Sequence, residues 1–195
     1  MIIQAGTDDF PRYWDRVLFV AGLAIYTAGQ VLINLGRDFV EAQTPIDFAH
    51  WLLLLGVLFL IPFTGRLPRR NLHLLTIPLL IAGIAAVIGM CLIDFIFWSL
   101  PAGDLENRLA SELIATPSIW PVFITIGPNH VFSLALMLPS LSWYRASRAG
   151  TALVVIGTLT VMLGVQWFNV IGYAVLTLGY GLNFNGLRPP DRADS

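Results

Sequence analysis

Along the chain, long runs of apolar residues alternate with short polar intervals. No Lys, Arg, Asp or Glu occurs between Arg16 and Arg37, between Arg70 and Asp94, between Glu112 and Arg145, or between Arg148 and Arg188. The apolar core of a bilayer is crossed by roughly 20 residues at about 1.5 Å rise each, so these runs have the length of membrane spans. The pattern predicts six helical spans, at about 17–36, 46–63, 74–98, 119–141, 149–165 and 167–185. The final uncharged run must fold back, because as one helix it would be about 58 Å long, nearly twice the hydrocarbon thickness. "LGVQWFN", residues 163–169, is the expected reversal, with Gly164 supplying the turn and Trp167 at headgroup level.

Composition supports this reading. Of 195 residues, 56% are hydrophobic and 12% charged, with a mean hydropathy of +0.75, outside the range of soluble domains. The expectation is one all-α integral membrane domain over 1–195, a six-helix bundle with glycine-rich packing and a Pro-kinked fourth helix. All 11 basic residues are Arg, and the six-span arrangement puts nine on one side. Only Arg37 and Arg108 fall opposite, in loops rich in Asp and Glu, so the positive-inside rule predicts a multi-pass cell-membrane protein with both termini cytoplasmic. Trp51, Trp98, Trp120, Trp143 and Trp167 fall near span ends, as an aromatic belt requires. The N-terminal segment is acidic where a signal peptide is basic, and is expected to be retained.

Three spans repeat glycine every seven residues: Gly22, Gly29 and Gly36; Gly150, Gly157 and Gly164; Gly172, Gly179 and Gly186. Seven residues is nearly two turns, so each set lines one face and lets backbones approach. Ala82, Ala86 and Gly89 extend this kind of contact to the third span. The faces carrying Gly22, Gly29, Gly157, Gly172 and Gly179 are also candidate docking surfaces for other membrane proteins. Polar residues occupy different faces: Gln30 and Asn34 in the first span, and Gln166, Asn169 and Tyr173 in the sixth. Lipid offers such groups no partners, so they bond neighbouring helices or line a polar interior.

Two further features mark that interior. Apart from Asp47 at the very start of the second span, Asp94 is the only acidic residue within an expected span; it lies near the outer interface and is expected to point inward. In the fourth span, "ITIGPNHVFS" carries Gly127, Pro128, Asn129 and His130 near the bilayer midplane. Pro128 lacks an N–H and is expected to free the Ile124 carbonyl, and broken spans often mark binding sites in transporters. The residues expected to line a pocket open to the outside are therefore Gln30, Asn34, Asp94, Asn129, His130, Gln166, Asn169 and Tyr173.

Other chemistry is thinly represented. The three histidines, His50, His73 and His130, lie at three depths, which argues against a bis-histidine haem. No HExxH, CxxC, phosphate-binding loop, nucleophile elbow or dinucleotide fingerprint occurs. Asp47 and His50 would supply half of a weak metal site, and are read instead as surface residues at a helix start. The lone Cys91 excludes an internal disulfide framework, and no basic surface suits nucleic acid. No cofactor is indicated. Three functional classes remain: a bundle that binds or translocates a small molecule or lipid, an accessory subunit of a larger membrane complex, and an intramembrane enzyme using Asp94 and His130.

Overall fold

The computed structural model describes residues 13–67, 71–100 and 103–186, and among these the chain is all-helical, without strands. Arg12, Arg69, Arg70, Arg188 and Arg192, five of the arginines behind the expected orientation, lie outside the described residues, as does the N-terminal segment through residue 12. The elements are α1 (Tyr13–Asn34), α2 (Arg37–Glu41), α3 (Phe48–Leu58), α4 (Ile61–Thr64), α5 (Asn71–Ser99), α6 (Asp104–Ile114), a π-helix (Pro121–Val131), α7 (Phe132–Ser142), α8 (Arg148–Met162) and α9 (Gln166–Gly186). Three stretches are long and apolar enough to cross a membrane: Tyr13–Asn34, Leu72–Ser99 and Pro121–Ser142. Phe48–Thr64 and Arg148–Met162 are shorter apolar helices.

Neighbouring helices meet at glycine. A Cβ added to Gly22 would lie 2.6 Å from the Gly56 carbonyl oxygen, and one added to Gly29 would lie 2.9 Å from that of Ala49, so α1 and α3 run antiparallel in close contact. Likewise, a Cβ on Gly157 would lie 2.6 Å from the Gly172 oxygen, and one on Gly179 would lie 2.8 Å from the Gly150 oxygen. These faces are therefore covered within the chain itself, and the docking surfaces expected at Gly22, Gly29, Gly157, Gly172 and Gly179 are occupied by its own helices.

The last glycine in two of the repeats has a different task. Gly36 and Gly164 have φ of 106° and 67° and nothing within 4 Å of an added Cβ. Both are turn residues; Gly164 makes the reversal between α8 and α9, where a side chain would strain the backbone. Ala82 is exposed, so the small-residue contact on α5 runs instead through Gly83, Ala86 and Gly89, which face Phe132, Gly127 and Phe123 respectively.

The fourth expected span also differs. Where a kinked α-helix was expected, Pro121–Val131 winds as a π-helix that continues into α7. The Phe132 N–H donates to the Gly127 oxygen, five residues back. In that register the missing N–H of Pro128 falls opposite Phe123 rather than Ile124. A Cβ on Gly127 would stand 2.1 Å from the Val122 oxygen and 2.4 Å from the Ala86 side chain, so the wider turn and its contact with α5 both require glycine here.

The core is aromatic. Phe19, Phe63, Trp143, Tyr180 and Phe184 pack together at the end that holds the starts of α1, α5 and α8. Farther along α1, Tyr26, Phe132 and Tyr173 form a second group, with Tyr26 and Tyr173 ring centroids 4.7 Å apart. Two tyrosines of α9 tie it to the broken helix. Tyr173 donates to the Pro128 oxygen at 3.2 Å, and Tyr180 donates to the Leu136 oxygen.

Candidate functional site at the arginine-poor end

At the opposite end, α2, α3, α5 and α6 surround a cavity of about 280 Å³. Its construction begins with Asp47, the N-cap of α3. The Asp47 Oδ1 accepts the His50 N–H at 3.1 Å, the usual way a short acidic side chain satisfies an open helix start. The same carboxylate turns its Oδ2 to His50 Nδ1 at 2.5 Å, so one buried acid both caps the helix and orients the ring.

The other ring nitrogen faces a different helix. His50 Nε2 lies 3.1 Å from Asp94 Oδ2, and His50 and Asp94 side chains are 12% and 29% exposed. Phe95, the next residue of α5, stands nearly perpendicular to the imidazole ring and packs against Trp51. A neutral imidazole presents one donor and one acceptor, whereas a doubly protonated ring donates to both carboxylates. The arrangement suits an imidazolium between two acids.

Across the cavity, Arg37 forms ion pairs with Glu41 on its own short helix and with Glu106 on α6. The hydrogen bond and charge of Glu41, with the charge of Glu106, raise the pKa of the guanidinium above its ordinary value. Phe97, Trp98 and Trp120 complete the wall. One turn along from His50 and Asp94, Leu53 and Cys91 are fully buried. Two larger grooves, about 560 Å³ between α1 and α9 and about 380 Å³ along α4 and α5, have mostly apolar walls.

No group of three His, Cys, Asp or Glu side chains among the described residues is placed to hold a metal ion. Both His50 nitrogens already face carboxylates, so ligation through this ring would break one of those contacts.

Of the eight residues expected to share a pocket, Asp94 lines this cavity. Gln30 and Asn34 are buried, with the Asn34 amide donating to the Gln30 backbone oxygen at 2.7 Å. Tyr26 and Tyr173 are both buried, with their rings packed edge to face. Gln30 and Tyr173 thus lie inside the helix packing, where Tyr173 reaches the Pro128 carbonyl. Asn129 and His130 are half-buried on the π-helix, Asn169 is half-buried, and Gln166 is exposed. Asn169 Oδ1 and His130 Nδ1 are buried atoms without a hydrogen-bond partner.

Asp94 and His130 do not stand side by side. The π-helix runs antiparallel to α5, with Gly83 against Phe132 and Ala86 against Gly127, so His130 stands opposite the 83–86 stretch. Asp94 lies eight or more residues farther along α5, about 12 Å or more at helical rise. Asp94 instead meets His50, a residue the sequence reading left at a helix surface. The Asp-x-x-His spacing at the start of α3 and the acidic loops around Arg37 and Arg108 were the available signals. The partnership across 44 positions of sequence had none.

No protein-family model, curated protein or solved structure matches this chain.

Proposed function

We propose that the chain is a six-span membrane protein with both termini in the cytoplasm, and that it binds a small polar ligand in the cavity between α2, α3, α5 and α6, open to the outer solution. The three long apolar helices support residence in a membrane. The antiparallel contacts of α1 with α3 and of α8 with α9 favour counting the shorter helices as spans too, because each continues the alternation of direction. The excess of arginine in the remaining connections orients them.

The observation that carries the ligand reading is His50, held between Asp47 and Asp94 on the wall of a cavity. Charged groups in a membrane helix are costly, and their usual places are protein interiors and water-filled cavities. The volume lies just below the roughly 300–1,000 Å³ typical of small-molecule pockets, which suits a compact ligand.

Native mass spectrometry of the protein, extracted gently from its own membrane, tests this reading. The expected result is a stoichiometric small molecule that is lost when Asp94 is replaced by Asn. A chain that carries nothing, or one held only within a larger complex, would instead favour an accessory role.

A further inference from the structure

We infer that the ligand of this cavity is a small organic cation, an ammonium or guanidinium group carried on a short apolar body; the inference rests on the reading of the cavity as a ligand site. Four carboxylates, Glu41, Asp47, Asp94 and Glu106, border it together with two basic groups, Arg37 and His50. Even with a charged imidazole ring, this leaves an excess of two negative charges. Neither basic group is directed at an incoming anion: Arg37 is engaged by Glu41 and Glu106, and His50 by Asp47 and Asp94.

The rest of the wall discriminates among cations. Phe97, Trp98 and Trp120 bring three aromatic side chains to a space of about 280 Å³. Aromatic faces attract ammonium and guanidinium groups, most strongly where water is excluded, and they accept the alkyl parts of such ligands as well. A metal ion gains nothing from indole walls and requires convergent oxygen or nitrogen ligands. The described residues supply no set of three. Asp94, partly exposed and facing His50 with one oxygen, is the carboxylate best placed to meet the cationic head.

The test is direct binding to the full chain in lipid nanodiscs, by calorimetry and by quenching of tryptophan emission. The probes are choline, its uncharged carbon isostere 3,3-dimethylbutan-1-ol, and the anion 3,3-dimethylbutanoate. Choline is expected to bind about tenfold or more tightly than the isostere, the scale of a cation–π contact joined by one opposite charge, with the anion weaker still. The Glu106→Gln and Asp94→Asn variants should each shrink that preference, and Trp98→Leu should weaken choline more than the isostere. Equal or tighter binding of the isostere or the anion, lost in Trp98→Leu, would overturn the cationic ligand and leave the ligand site standing. Failure of all three probes to bind would overturn the cationic ligand as well, and native mass spectrometry then decides whether the site reading falls with it.

Discussion

His50 of α3 and Asp94 of α5 face each other at 3.1 Å, with the second imidazole nitrogen already committed to Asp47. The contact joins two helices through a charged bridge at the edge of a cavity. Replacing Asp94 by Ala leaves His50 Nε2 without its partner, and a half-buried polar group so stranded costs about 1–3 kcal/mol. Replacing His50 by Ala removes the shared partner of two acids, one of them fully buried, and is expected to cost more, about 3–5 kcal/mol. Reversible unfolding of the two variants in mixed micelles measures both losses, and stability equal to the parent's in both would show that the bridge is idle.

The π-helix depends on Gly127. With the added carbon of Gly127→Ala placed 2.1 Å from the Val122 oxygen, the turn cannot simply absorb it. Overpacking of this kind costs about 1–3 kcal/mol, and here the contact with Ala86 on α5 is disturbed as well. Thermal unfolding should show the loss, while Gly181→Ala, which meets nothing within 4 Å, should remain near the parent protein apart from its helix propensity.

Tyr173 and Tyr180 anchor α9 to backbone carbonyls of the broken helix. Each Tyr→Phe substitution removes one buried hydrogen bond and leaves the ring packing intact, at a cost of about 0.5–1.5 kcal/mol. The two hydroxyls lie two helical turns apart, so the double variant should lose close to the sum of the single losses. A large departure from additivity in unfolding measurements would mean that α9 moves as a unit when either bond is cut.

Arg37 connects α2 to α6 at the cavity wall, yet its side chain is 67% exposed. Exposed ion pairs contribute only about 0–1 kcal/mol and are screened by salt. Arg37→Gln should therefore leave stability almost unchanged, and proteolysis or hydrogen exchange in α6 should rise in the variant and in parent protein at high salt alike.

The apolar runs foretold the long helices closely, because the bilayer demands a length and every internal polar group interrupts it. Where a span was expected at about 17–36 there is a helix Tyr13–Asn34, long and apolar enough to cross a membrane, and at about 167–185 there is a helix Gln166–Gly186. Gly164 was legible for a local reason, since a reversal inside an uncharged run needs a residue that tolerates positive φ. The amphipathic α6, with Leu105, Leu109 and Leu113 spaced by whole turns among charged residues, lacks an apolar run and so gave no span signal. The π-register was hidden because Pro128 marks a break without specifying how the backbone closes around it. The cavity was hidden for a different reason. Asp94 could be recognised as costly in lipid, but its partner depends on how α3 packs against α5, and helical periodicity within either segment carries no information about that register.

Membrane-impermeant maleimide labelling of intact, right-side-out vesicles tests the central claim, that the cavity at the arginine-poor end opens to the outer solution. Ala110→Cys on the cavity wall and Ala146→Cys at the opposite end supply the two reporters, and the parent Cys91 is fully buried and gives no background. The account predicts labelling at position 110 before permeabilisation and at position 146 only after it. Labelling at 146 first, or none at 110 in either condition, would contradict it.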